Sequence, residues 1–98
     1  MKVLWMPSAL DDLESIKEYI ARDSIVYADK FADEALRATE RLGVFPESGR
    51  KVPEVDDPSL REIVYGSYRI IYEIADSIHI VAMIHGRRLL TDCFVRDF

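Results

Sequence analysis

The chain has 98 residues, of which 49% are hydrophobic and 32% charged, with thirteen basic and eighteen acidic side chains giving a formal net charge of −5. That profile is too apolar for intrinsic disorder and too charged for a membrane bundle, and this length fits one domain with one modest core. The only cysteine is Cys93, which excludes an intrachain disulfide and a cysteine-based zinc site and points to a reducing compartment.

Residues 3–10 are apolar, but Pro7 interrupts them and Asp11-Asp12 ends them, far short of the ~20 residues that cross a bilayer. A cytoplasmic protein without membrane association is expected. Binding nucleic acid depends largely on neutralising phosphate, so an acidic chain is poorly suited to general DNA or RNA binding. The charge is unevenly spread: residues 1–49 hold six basic and ten acidic groups, residues 50–98 seven and eight, and six of those last seven cations are arginines. A local cationic surface in the second half is compatible with the acidic total.

Residues 2–5 read as a short strand ended by Pro7. Ser8, with Asp11 three residues later, has the form of a helix capping box. Ala9, Leu13, Ile16 and Ile20 then follow at spacings of four, three and four, one face of a helix reaching about Arg22. Ser24 is a good N-cap for a second helix. Its apolar residues are Ala28, Phe31, Ala32, Ala35, Ala38 and Leu42, with Gly43 placed just past its end. The alanines permit close approach, so the two helices should form an antiparallel hairpin.

Residues 43–60 hold two Gly, three Pro and the acids Glu54, Asp56 and Asp57, and read as a long irregular connection of the kind that often carries function. The period then becomes two. Strands are expected at 61–65, 68–74 and 78–84, joined by tight turns at Gly66-Ser67 and Asp76-Ser77. The result is an α+β domain spanning 1–98, with an antiparallel sheet packed on one face against the helical hairpin. Residues 89–98 are a candidate C-terminal arm.

Little in the sequence suggests a standard catalytic centre. His79 and His85 share a face by strand parity but would lie roughly 20 Å apart at about 3.3 Å per residue, too far to share an ion. No metal and no cofactor is expected. There is no nucleophile elbow and no phosphate-cradling glycine loop. The arginines are the better candidates. Arg50 and Lys51 lie on the long connection, Arg61 and Arg69 on consecutive strands, and Arg87-Arg88 follow His85 at the end of the last. An antiparallel meander can gather several of these on one sheet surface, able to hold a phosphate or to stabilise charge in phosphodiester cleavage. The competing reading is that Arg61, Arg69 and Arg87 pair with Glu62, Glu73 and nearby acids as ordinary sheet charges.

The order and spacing of several short motifs resemble the RelE/ParE superfamily of toxins from bacterial type II toxin–antitoxin modules. These are Trp5 and Pro7 before Ala9, Asp12-Leu13 with Ile16 and Tyr19-Ile20, Phe45-Pro46, Gly49-Arg50, Arg61-Glu62, Tyr68-Arg69-Ile70 with Tyr72, and His85-Gly86-Arg87. The resemblance implies a β-α-α-β-β-β fold and a cognate antitoxin, ParD-like or RelB-like, in a hetero-oligomeric complex. It further implies one of two targets. ParE-like members poison DNA gyrase. RelE-like members cut messenger RNA on the ribosome, for which Arg61, Arg69, His85 and Arg87 would be the catalytic set here.

This chain lacks the run of lysines of the RelE pattern and is acidic, which disfavours entry into a ribosome. Its long alanine-rich second helix also resembles the ParE branch, so gyrase poisoning is the expectation. Arg50, Lys51, Arg61, Arg69, Arg87 and Arg88 are then the candidates for target binding. Val26, Tyr27, Val44, Leu89, Leu90, Phe94 and Phe98, apolar and not needed for the core, are candidates for antitoxin contact. An inert relative that retains only antitoxin binding is the remaining reading.

Overall fold

The computed structural model describes residues 1–88. Strand β1 (Val3–Trp5) leads into helix α1 (Pro7–Ala21) and helix α2 (Ile25–Glu40). Two single turns of 3₁₀ helix follow, and then strands β2 (Arg50–Lys51), β3 (Leu60–Tyr65), β4 (Tyr68–Ile74) and β5 (Ile78–His85). The sheet order is β1-β5-β4-β3-β2. The last four strands are antiparallel neighbours, as the alternating pattern predicts, but β1 joins the edge of β5 in parallel, so the sheet is mixed. The two-residue β2 lies inside the connection read from sequence as irregular.

Helix α2 starts where expected, the Ser24 hydroxyl accepting from the Tyr27 backbone N–H at 3.1 Å. Helix α1 does not. It begins at Pro7, with Met6 as N-cap and no side-chain cap, so the capping box at Ser8 and Asp11 does not form. Proline at the first helical position already supplies the right φ and has no N–H to satisfy. The Ser8 hydroxyl instead reaches across to the sheet, donating to the Val81 carbonyl at 3.0 Å.

That bond belongs to the main irregularity of the sheet. Register along β4 and β5 runs Ile71 with Ala82 and then Tyr72 with Ile80, leaving Val81 as an extra residue in β5. A bulge of this kind leaves backbone groups without ladder partners. Helix α1 supplies some: Ser8 takes the Val81 carbonyl, and the Asp12 carboxylate accepts the Met83 N–H at 3.0 Å. The bulge reverses side-chain parity. Ile78 and Ile80 before it, and Met83 after it, all face the helices, while Ala82 and Ile84 face away. His79 and His85 therefore lie on opposite faces, which corrects the parity reading.

The helix side holds the main core, in which Ile70, Tyr72, Ile78 and Ile80 pack against Leu13, Phe31 and Ala35. The opposite face is not bare. Val52 packs with Ile71, Ala82 and Ile84, and Val55 and Leu60 close over them. The connection between β2 and β3 thus roofs part of the outer face.

Tyr65 ties β3 to α2 by donating its hydroxyl to the Glu34 carboxylate at 2.6 Å. Burial first, and that bond second, push its phenol from the usual 10.0 up to about 12. The unfolded chain loses this proton at lower pH than the folded one, so stability falls wherever the folded state binds more protons. The Tyr65 contribution should be complete below pH 10.0 and lost as pH rises through about 12. Denaturant titrations of wild type and Tyr65→Phe check this. Their stability difference should be constant below pH 10.0 and change only between there and about 12.

Candidate functional site

The β3–β4 hairpin turns through Gly66 and Ser67, with positive φ (59°) at Gly66 alone. Positive φ at only the first of two central positions is the mark of a type II′ turn, which suits glycine and the twist of the strands. Clefts open on either side of this turn and share Gly66, Ser67, Tyr68 and His85 as a common wall. One is aromatic, formed with Tyr19, Tyr27 and Phe31 from the helix hairpin. The other, of about 530 Å³, is lined with Arg50, Val64, Arg69 and Arg87.

The cationic cleft therefore gathers four of the predicted residues, Arg50, Arg69, His85 and Arg87. The others stand elsewhere. Arg61 pairs across the ladder with Tyr72, on the helix side of the sheet, and its Nη1 donates to the Gly49 carbonyl at 3.0 Å. Its Nε is buried without a hydrogen-bond partner among the described residues. Lys51 is exposed next to it, opposite Arg61 in the β2–β3 ladder. Arg88 is exposed and follows the cleft wall. A single surface carrying all of these arginines does not form, because alternation along the strands sends Arg61 and Arg69 to opposite faces.

Arg69 sits at the centre of an ionic network on the outer face. It is 6% exposed, and Glu62 beside it 1%. Its Nε and Nη2 donate to Glu62 Oε1 at 2.9 and 2.5 Å, and its Nη1 and Nη2 donate to the Glu54 carboxylate, both at 2.7 Å. Nη1 also donates to the Arg88 carbonyl at 2.9 Å. A guanidinium has five N–H donors, and these bonds match that number. The Glu54 bond, followed by Glu62, holds its pKa above the usual guanidinium range against the opposing effect of burial. The second oxygen of Glu62 accepts from Arg50 Nε and Nη2, each at 2.6 Å.

The sequence reading of Glu62 as an arginine partner agrees with this arrangement. Glu73 instead lies 3.8 Å from His79. In the sequence, Glu54 is only one of four acids within residues 43–60, and its partner cannot be read because the fold of that loop brings them together. Tyr68 is likewise a site residue that sequence reasoning misses. Its ring meets His85 edge-on with centroids 5.7 Å apart, and the pairing depends on the bulge that turns His85 to the helix side.

Of the residues considered for antitoxin contact, Val26, Tyr27 and Val44 are exposed at 80%, 58% and 72%. Leu89, Leu90, Phe94 and Phe98 lie outside the described residues. Among the described residues, no three His, Cys, Asp or Glu stand together as a metal set, and no helix is long and apolar enough to cross a membrane.

Comparisons with known proteins agree with this architecture. Residues 3–90 match the family described as ParE toxin of type II toxin–antitoxin system, parDE. A relative named toxin RelE2, from Caulobacter vibrioides, is 37% identical over 90 residues, covering 90% of this chain and 98% of the relative. Among solved structures, the chromosomal ParDE toxin–antitoxin system of P. aeruginosa superposes with a TM-score of 0.72 at 19% identity, covering 87% of this chain and 95% of that one. The structural likeness shows the fold, while the family match along nearly the whole described chain, together with the 37% identical relative, shows that this protein belongs to the ParE toxin family of type II toxin–antitoxin systems.

Proposed function

We propose that this toxin arrests growth by binding and poisoning DNA gyrase in the cytoplasm, with no bond-breaking chemistry of its own, and that a ParD-like antitoxin neutralises it. The observation that carries this reading is the state of Arg69. An arginine that stabilises a phosphodiester transition state must direct donors at the reacting phosphate. In this chain the donors of Arg69 are directed at Glu54, Glu62 and the Arg88 carbonyl. The formal charge of −5 also opposes entry into an RNA-lined ribosomal site. The cleft is better suited to docking, with Arg50 and Arg87 exposed together with Val64. Val26, Tyr27 and Val44 offer the antitoxin apolar surface.

One observation favours the second reading, ribosome-dependent cleavage of messenger RNA. His85 is exposed in the cleft beside Tyr68 and Arg87, and histidine is the commonest general acid–base. The relative named toxin RelE2 is consistent with either target.

The deciding experiment incubates purified toxin with gyrase and supercoiled plasmid, and in parallel with a translating extract. Accumulation of gyrase-linked cleaved DNA with transcripts intact is the expected result. Codon-phased cleavage of transcripts, abolished by His85→Ala, would overturn the gyrase reading.

A further inference from the structure

We infer that Arg69 is a positioning residue: it does not meet the target but holds Arg50 and Arg87 in the geometry that does. The inference deepens the gyrase reading and rests on it for its activity readout alone.

Arg50 and Arg87 line one cleft. Both are exposed, and the Arg50 side chain is 63% accessible. Exposed arginines ordinarily sample many rotamers, so displaying two of them in a fixed relation requires something to hold them. Each is linked to the Arg69 network by a short chain of bonds. For Arg50 the link is Glu62, a fully buried carboxylate whose two oxygens are divided between the guanidiniums, Oε2 for Arg50 and Oε1 for Arg69. The orientation that serves Arg50 is the one Arg69 imposes.

For Arg87 the link runs through the backbone. Residues 85–88 form a turn closed by the Arg88 N–H to the His85 carbonyl at 2.9 Å. The near side of this turn is held by the Gly86 N–H, which donates to the Ser67 carbonyl at 2.8 Å, and by the Arg87 N–H, which donates to His85 Nδ1 at 3.2 Å. The far side is held by Arg69, whose Nη1 donates to the Arg88 carbonyl at 2.9 Å. One buried guanidinium thus sets both walls of the cleft, and Glu54 brings the roofing loop to the same point.

Arg69→Lys tests this, since lysine keeps the charge but not the planar fork. In the isotope-labelled full chain, the amide signals of Gly86, Arg87 and Arg88 and the Arg50 Nε–H signal should shift, while those of α1 and α2 stay in place. In the gyrase assay, the toxin concentration for half-maximal DNA cleavage should rise by about tenfold in Arg69→Lys, and Arg69→Lys added to an Arg50→Ala/Arg87→Ala background should cause no further loss.

Unmoved signals at 85–88 and Arg50 overturn the inference, and so does a further loss when Arg69→Lys is added to the Arg50→Ala/Arg87→Ala background, because it would show Arg69 acting outside both routes. Wild-type toxin that leaves gyrase untouched defeats the gyrase reading, whereas the spectroscopic comparison still decides the positioning role. Should Arg69→Lys fail to fold, Glu62→Gln takes its place. It should release the Arg50 Nε–H signal and leave the 85–88 turn intact, and an undisturbed Arg50 signal overturns the inference.

Discussion

Arg69→Ala is expected to lower the unfolding free energy by about 3–5 kcal/mol, read from the midpoint of a urea titration at constant slope. The magnitude follows from what the truncation leaves behind. Glu62 is 1% exposed and would keep, among the described residues, only Arg50 as a cationic partner, while the Glu54 carboxylate would lose the two bonds that Arg69 gives it. Removing one member of a buried ion pair leaves the charge of its partner, here Glu62 above all, in a poorly solvated place, and that cost exceeds the net contribution of the intact pair. A companion variant isolates the cause. Arg69→Met combined with Glu62→Leu removes the two most deeply buried charges and refills the volume but keeps the Glu54 carboxylate, so it should recover part of the lost stability. If the double replacement is as unstable as the single one, desolvation is not the source of the loss.

The second large effect is expected at Gly49, where substitution by alanine should cost about 3–5 kcal/mol through steric overlap and broken buried hydrogen bonds. A Cβ at this position would lie 2.5 Å from the Tyr72 hydroxyl and 2.6 Å from the Glu62 carbonyl oxygen. Neither can retreat. The Tyr72 ring is fully buried, and its hydroxyl accepts the Gly49 N–H at 3.0 Å while donating to the Pro46 carbonyl at 2.7 Å. The Glu62 carbonyl is sheet backbone. Gly66→Ala provides the comparison. It has open space around it but sits at φ 59°, so it should lose only about 1–2 kcal/mol, from the left-handed backbone. Equal losses in a thermal melt would show that crowding does not explain the need for glycine at 49. Gly49 also precedes β2, and displacing it would move Arg50 out of register with Glu62.

The local pattern carried most of the architecture. Ser24 as a cap, the helical spacing of the second helix, and the alternation from Arg61 to Ile84 each report interactions between residues close in the chain, and those elements stand near where the spacing puts them. The exception is that α2 ends at Glu40 and Leu42 and Gly43 fall in a 3₁₀ turn, so Gly43 is not the helix cap. The pairing of Arg69 with Glu62 was also within reach, because neighbouring antiparallel strands bring nearby residues of one face together. Glu54 was harder, since nothing in the periodicity of an irregular loop says where its side chain lands. The parallel seat of β1 against β5 was hidden for a similar reason: its partner strand lies at the far end of the chain, and three apolar residues suit either direction of pairing.

The histidines mark where a two-residue repeat stops being a guide. Parity on a regular strand puts His79 and His85 on one face, and only a residue out of step can separate them. Val81 is that residue, yet valine in an apolar run looks the same whether it extends a strand or bulges from it. The difference lies in who satisfies its backbone, and the groups that do so, Ser8 and Asp12, come from 73 and 71 positions away. Elements follow from short-range spacing and could be read along the chain. Which side of the sheet each charged group serves depends on hydrogen bonds made after distant segments meet, and so it emerged only once the chain was folded.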